Sequence, residues 1–180
     1  MKHPHSLLLL LTALLLTSCT NTTALKITPT QEGELVTIPR HRLAVTLTPG
    51  WRIAKTAPAN TLLFASAANG NLRFVIVGPL GAKDPGSKDA LVANAAYQKG
   101  IQQTLADGGF SKVDRAGMFR VSGVNAFRCD ASTRDKSQTI LQVHVPYNNR
   151  VWVLSFYSTG EQVSRFTAVP KILQSLQFLP

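Results

Sequence analysis

The feature that most constrains the fold is an Asn-Gly pair between two apolar runs. The runs cover residues 61–66 and 72–77, and Asn69-Gly70 lies between them. Asn-Gly is the strongest short-range signal for a β-hairpin, because both residues of a tight hairpin turn adopt a positive φ. Residues 74–77 have no polar alternation, so we expect a central strand that is covered on both faces. The two runs therefore predict an antiparallel sheet.

Further strand-like segments, separated by turn signals, follow along the chain. Ser122-Gly123 joins two of them, and residues 147–150 form a tight turn between two others. The segments are residues 35–38, 43–47, 51–53, 61–66, 72–77, 118–121, 124–132, 139–145 and 151–157. A helix is predicted between the fifth and the sixth segment, and a second helix closes the chain. Because hairpin turns link most strands, this order predicts an α+β sandwich whose helices cover a central, largely antiparallel sheet.

The first helix is predicted by one apolar stripe that ends at Gly108-Gly109. Its members recur at steps of three or four residues: Ala90, Ala93, Tyr97, Ile101 and Leu105. In the closing segment, Pro170 would break a continuous helix but suits the first turn of a new one. We therefore expect two short helices or a kinked one at the end of the chain.

The N-terminal block is typical of an exported protein. Residues 7–16 are apolar except for Thr12, a run too short to span a bilayer but suited to a signal-peptide core. The run ends in Leu16-Thr17-Ser18-Cys19, which resembles the bacterial lipobox, in which the cysteine is lipidated and becomes the mature N-terminus. The alternative is an ordinary secretory signal with a cysteine there by chance.

The lipobox divides the chain into three predicted parts. Residues 1–18 are the signal peptide, residues 19–34 are the lipidated Cys19 and a polar, Thr-rich tether, and residues 35–180 are a single domain. Thr20 rather than Asp follows Cys19. By the sorting rule of enteric bacteria, this resemblance implies an outer-membrane anchor with the domain facing the periplasm.

The charge of the chain is strongly positive but dispersed. Nineteen Lys and Arg residues against nine Asp and Glu residues give a formal net charge of +10, and Arg120 and Arg150 belong to its basic second half. Nucleic acid would be the default partner of a basic cytosolic domain, but export excludes that contact. We expect an envelope protein, an anionic lipid or a polysaccharide as the partner. The alternative is that the charge serves only solubility.

Several motifs together resemble the Mog1/PsbP-like family. They are Pro49-Gly50-Trp51 after a strand, the Val-Ser-Gly-Val-Asn-Ala-Phe hairpin at 121–127 and the closing Lys-Ile-Leu-Gln-Ser-Leu-Gln-Phe helix at 171–178. The resemblance covers residues 35–180 and is nearest to the branch of DcrB-like bacterial lipoproteins. It implies an α-β-α sandwich with an antiparallel sheet. It implies no single activity, since members include assembly factors, chaperone-like proteins and protein-binding domains.

A polar patch is predicted on the strands at 124–132 and 139–145. It would combine Arg128 and Asp130 with Gln142 and His144 if the two strands pair. With Arg120 and Arg150, the residues Arg128, Gln142 and His144 are the candidate binding residues. The competing interpretation is an ordinary solvated sheet face.

Cys129, the one cysteine left after Cys19, is predicted to be structural. Alternation along its strand points it away from Arg128 and His144, so no activating neighbour is expected. His41 and His144 are the only histidines of the mature chain, and no Cys/His cluster has the spacing of metal ligands. We therefore expect no metal and no cofactor.

These features favour a lipid-anchored, periplasm-facing, non-enzymatic binding or assembly module of the bacterial envelope. One alternative is a carrier that holds a small or lipidic ligand between sheet and helix. A less favoured alternative is a hydrolase-type enzyme that uses His144 together with Arg128. That alternative requires both side chains to converge in one cleft.

Overall fold

The computed structural model describes residues 24–55, 57–80 and 88–180, so the predicted signal peptide and Cys19 lie outside the described residues. The strands are β1 Lys26–Thr30, β2 Gly33–Ile38, β3 Leu43–Leu47, β4 Trp51–Ile53, β5 Thr61–Ala67, β6 Leu72–Leu80, β7 Lys112–Val121, β8 Val124–Ser132, β9 Gln138–Tyr147, β10 Arg150–Thr159 and β11 Gln177–Phe178. The helices are α1 Lys88–Ala93, α2 Ala95–Asp107 and α3 Ala168–Gln174, with 3-10 turns at Pro39–His41 and Val163–Arg165.

The strands form two antiparallel sheets. The large sheet has seven strands in the order β4-β5-β6-β10-β9-β8-β7, and the small sheet has four in the order β1-β2-β3-β11. The predicted α+β sandwich with antiparallel strands is confirmed. The expected single central sheet is divided in two, because the strands before Trp51 pair with one another and with β11 instead of joining the large sheet.

Each face of the large sheet is covered by a different layer. On one face lie α1 and α2, whose Val92, Ile101 and Leu105 pack on Phe127 and Ile140. The other face is covered by the small sheet and α3. The core on this side holds Phe74 and Phe156, which stack with ring centroids 4.4 Å apart, together with the predicted apolar faces of β9 and β10.

The hairpin turns differ from the expected assignment. The hairpin at Asn69-Gly70 is present, but only Gly70 has a positive φ, and four residues separate β5 from β6. Two-residue turns with two positive φ values occur instead at Ser122-Gly123 and Asn148-Asn149. This combination is the geometry of a type I′ turn, whose twist matches that of the flanking strands.

Part of the predicted tether is a strand. β1, which lies inside residues 19–34, pairs with β2 across the turn at 31–32, so the folded domain begins about nine residues before residue 35. All five residues of β1 are exposed, so burial gives its sequence no apolar signature. The sequence signals for β1 are weak: Ile27 and Thr28 favour a strand, and a turn precedes Gly33.

The predicted helices are also shorter than expected. The stripe from Ala90 to Leu105 is split at Asn94, whose side chain accepts hydrogen bonds from the N–H groups of Ala96 (2.8 Å) and Tyr97 (3.2 Å) and so caps a new helix. The closing segment forms the expected two short helices, a 3-10 turn and α3. The helix does not continue through residue 178, because Gln177 and Phe178 pair with β3 as β11. Just before them, the Ser175 hydroxyl accepts from the Thr46 N–H of β3 at 2.8 Å.

Candidate binding site

The predicted polar patch is divided between the two faces of the large sheet. β8 and β9 do pair, as the patch required, but Phe127 lies opposite His144 and Cys129 lies opposite Gln142. Directly opposed residues share a face and neighbours along a strand alternate. Gln142 and His144 therefore face α2, whereas Arg128 and Asp130 face the opposite side. The prediction that these four side chains form one patch is wrong.

His144 belongs to a buried chain of hydrogen bonds under α2. The Tyr97 hydroxyl lies 2.9 Å from His144 Nδ1, and His144 Nε2 lies 2.8 Å from Gln142 Oε1. Gln142 Nε2 in turn donates to the Ser155 hydroxyl at 3.2 Å. With Gln142 Oε1 as an acceptor, His144 donates from Nε2 and accepts the Tyr97 proton at Nδ1. The chain thus runs in one direction from α2 across β9 to β10.

The environment of His144 keeps its imidazole neutral. The side chain is 6% exposed, and burial lowers its pKa to about 4. Both ring nitrogens already have partners, and Tyr97 covers the ring edge-on with centroids 5.7 Å apart. His144 therefore fastens the helix to the sheet instead of presenting a proton to solvent.

Cys129 lies on this same covered face, contrary to the prediction that it points away from His144. It is fully buried among Phe127, Ala131 and Ile140, and its interior position is as predicted. Burial, with a smaller contribution from the charge of Asp130, raises the pKa of the thiol to about 11. The thiol is therefore protonated at neutral pH and behaves as a small apolar side chain.

The opposite face carries a cleft of about 370 Å³ at the edge of the sheet. It lies between the end of β7, β8 and α3, and its walls include Phe119, Leu141, Val169 and Leu173. Arg128 and Arg120 line it as well, so two of the five predicted binding residues meet at this cleft. Sequence reasoning missed the cleft because α3, which forms its second wall, is distant from β7 and β8 in sequence.

Arg128 is held in place at the cleft by two neighbours. Its Nε and Nη2 donate to the two carboxylate oxygens of Asp130 at 2.7 and 2.6 Å. Its guanidinium carbon lies 5.5 Å from the centroid of the Phe119 ring, a cation–π distance. The Arg128 and Asp130 side chains are 14% and 17% exposed, so the guanidinium keeps a limited contact with solvent. The cleft therefore combines apolar walls with one preoriented cationic group.

Arg150 lies neither in the hydrogen-bond chain under α2 nor at the cleft. It opens β10 next to the turn at 39–41, where Arg40 and Arg150, after burial, lower the pKa of His41. The His41 ring meets Trp152 edge-on with centroids 5.4 Å apart. His41 Nδ1 and Trp152 Nε1 are buried without a hydrogen-bond partner in the part of the chain that the structure covers.

Two absences among the described residues bear on the chemistry. Among residues 24–55, 57–80 and 88–180, no group of three His, Cys, Asp or Glu side chains could hold a metal ion. Over the same ranges, none of the helices combines the length and the hydropathy that a bilayer-spanning helix needs.

The structure is thus an α+β sandwich with a cleft on one face of the large sheet. The similarity of this chain to known proteins is a similarity of fold. No known family and no curated protein matches the sequence. A crystal structure from Bacteroides thetaiotaomicron matches with a TM-score of 0.55 and 13% identity, covering 83% of this chain and 50% of that one. This chain thus spans half the length of that structure, and the likeness concerns the fold alone.

Two further structures match with lower scores. LpqN, involved in cell envelope biogenesis of Mycobacterium tuberculosis, has a TM-score of 0.48 and 14% identity, with 87% of this chain and 92% of LpqN covered. PA94, a protein of unknown function from Pseudomonas aeruginosa, has a TM-score of 0.45 and 15% identity, with 87% and 98% covered. Membership of the Mog1/PsbP-like family stays a prediction.

Proposed function

We propose that this chain is a lipid-anchored, periplasm-facing binding module of the bacterial envelope, and that it acts by contact rather than by catalysis. The observation that carries the proposal is the separation of the two faces of the large sheet. The cleft with Arg128 opens on one face, while His144 and Cys129 are enclosed on the other. The lipobox at Cys19 and the resemblance to DcrB-like lipoproteins support the anchor, which we propose lies in the outer membrane.

The chemistry of the cleft suits recognition of a partner segment. The half-buried Phe119 offers apolar contact area beside the buried Val169 and Leu173, and the Arg128 guanidinium offers charge-assisted hydrogen bonds at a fixed position. A partner that inserts an apolar side chain next to a carboxylate or phosphate would fit this arrangement. Lipidation at Cys19 would raise the effective concentration of the module for a partner in the same membrane.

A second candidate function is a carrier of a small or lipidic ligand. The volume of the cleft, about 370 Å³, favours it, because small-molecule sites usually measure about 300–1,000 Å³. A ligand with an apolar body and an anionic group would use the same walls and the same guanidinium. The two functions differ in whether the cleft is filled by a segment of another protein or by a free molecule.

The anchor is tested with the two cysteines of the chain as a matched pair. Cys19→Ser should leave an unlipidated precursor that keeps its signal peptide, measured by intact mass after membrane fractionation. Cys129→Ser should be lipidated and processed like the wild type, because Cys129 is buried in the domain. If Cys19→Ser is still recovered as a mature lipoprotein, the anchor is excluded.

The contact surface is tested by photo-crosslinking in intact cells. A photoreactive residue at Gln174, which is exposed and lines the cleft, should capture one stoichiometric envelope protein. The same residue at Gln103, which is exposed on α2, should capture none. Equal capture at both positions would contradict the cleft as the contact surface. No protein at Gln174 together with a co-purified small molecule by native mass spectrometry would favour the carrier.

A further inference from the structure

The beginning of β1 and several turns from both sheets lie together at one end of the domain. Lys26 lies opposite Thr37, so the start of β1 adjoins the turn at 39–42. In the large sheet, the turn at 148–149, which joins β9 to β10, lies at the corresponding end. The residues before β5 lie there too, since the Gly78 N–H, near the end of β6, donates to the carbonyl of Asn60 at 3.2 Å. The contact between His41 and Trp152 joins the two sheets there. We call this edge, with Lys26, Arg40, Arg42 and Arg150, the tether end.

The tether end is positively charged. Its four named cations are all exposed, and both Arg40 and Arg150 act on the nearby His41 as positive charges. None of the acidic residues whose side chains the structure describes lies at this end. Glu32 and Glu34 lie at the β1–β2 turn on the opposite end, which also carries Asp135 and Glu161. Asp107, Asp114 and Asp130 lie in the same opposite half of the domain.

The tether end is also the part of the domain that the anchor holds nearest to the membrane. Lys26 lies seven positions after Cys19, and a chain of that length spans at most about 25 Å whatever its conformation. The mean reach of a flexible chain of seven residues is about 15 Å. The opposite end is farther away by the length of the strands, about 30 Å for the ten residues of β10.

We infer that the tether end docks on the anionic phospholipid headgroups of the membrane that carries the anchor, with the strands directed away from the surface. The inference rests on the lipid anchor proposed above. Guanidinium groups bind phosphate oxygens with charge-assisted, often bidentate hydrogen bonds, so three arginines match a layer of phosphodiesters. Each cation near an anionic surface favours that position about fivefold, corresponding to about 1 kcal/mol. The turns at 31–32 and 133–137 are then presented to the periplasm.

The test measures the orientation of the lipidated, full mature chain in vesicles. A single donor fluorophore is attached at Ala59→Cys or at Asn69→Cys, two exposed positions that flank β5 at the two ends. Cys129 is buried and Cys19 is occupied by lipid, so labelling is confined to the introduced thiol. Energy transfer to acceptor-labelled headgroups is compared in vesicles with phosphatidylglycerol and in vesicles of phosphatidylcholine alone. Co-flotation with the vesicles reports the anchor separately.

We expect transfer from Ala59→Cys to exceed transfer from Asn69→Cys by at least about twofold in the anionic vesicles. The difference should shrink in phosphatidylcholine, in high salt and in the variant with Arg40→Gln, Arg42→Asn and Arg150→Gln. Asn is used at position 42 because Arg42 has a φ of 51°, a conformation that Asn tolerates. The matched control removes three cations outside the tether end, Arg73→Gln, Arg134→Gln and Lys136→Asn, and should keep the difference; Asn is used at 136 because Lys136 has a φ of 58°.

Three results would overturn the inference. A protein that floats with the vesicles but gives equal transfer from both positions would contradict docking while leaving the anchor intact. An equal preference for Ala59→Cys in both lipid compositions would contradict recognition of anionic headgroups, since the tether alone would then orient the domain. A protein that does not float would contradict the anchor itself and, with it, this inference.

Discussion

The two faces of the large sheet use polar residues in opposite ways. Under α2, Tyr97, His144, Gln142 and Ser155 are closed into one directed chain of hydrogen bonds, with no charge. On the other face, Arg128 and Asp130 are charged and keep partial contact with solvent beside a cleft. A buried polar group must be paired within the protein, whereas an accessible one is available to a partner. The comparison indicates that the first face serves stability, whereas the second is the face for which we propose binding.

The largest effect expected from this comparison is a pH dependence caused by His144. Its pKa is about 4 in the folded chain and 6.5 in the unfolded chain. Below pH 6.5 the unfolded state takes up a proton that the folded state excludes, so stability falls as the pH decreases from 6.5 to 4. The total loss is about 3 kcal/mol, with no further contribution from His144 below pH 4.

The measurement is urea unfolding across this pH range for the wild type and His144→Gln. The variant should lose most of the slope between pH 4 and 6.5. His41, whose pKa is also lowered, contributes in the same direction, so His41→Gln serves as the comparison. If His144→Gln keeps the full slope, His144 is not the buried neutral group described here.

The second effect concerns the reactivity of Cys129. A thiol with a pKa raised from 9.0 to about 11 has about 100-fold less thiolate at a given pH, and burial removes its access to reagents as well. In Cys19→Ser, Ellman's reagent should therefore react with Cys129 only after urea unfolding. Rapid labelling of the native protein would show that the α2 face opens.

The third effect is the loss of one hydrogen bond under α2. Tyr97→Phe keeps the ring against His144 but leaves Nδ1 without a donor, which should cost about 1–2 kcal/mol of unfolding free energy. Gln103→Ala on the exposed side of the same helix should change stability by less than about 0.5 kcal/mol. Equal effects of the two substitutions in urea unfolding would contradict the closed network.

The fourth effect concerns the ion pair on the cleft face, where only a small change in stability is expected. Replacing the ion pair by Arg128→Gln with Asp130→Asn should change the unfolding free energy by about 1 kcal/mol or less, because both charges are removed together and neither is left unpaired. The same double variant should strongly reduce capture of the partner by a photoreactive residue at Gln174. Unchanged capture would contradict a role of Arg128 in binding the partner.

The faces of single strands were predictable from the sequence, but which side chains share a face across paired strands was not. The apolar faces of β9 and β10 follow from alternation alone and are present in the structure. Placing Arg128 beside His144 required the register between β8 and β9, and a shift by one residue reverses the face of every side chain. The loop at 133–137 fixes that register, and no periodicity in the strands reveals it.

The sequence by itself determined most strands of the large sheet, the presence of helices that cover it, the hairpin connections and the antiparallel class, because each depends on neighbours along the chain. Only the tertiary structure decided which polar residues meet. It set His144 under α2 and brought α3 against β7 and β8 to form the cleft. Those contacts join residues that are distant in sequence, so they depend on packing and register rather than on local propensity.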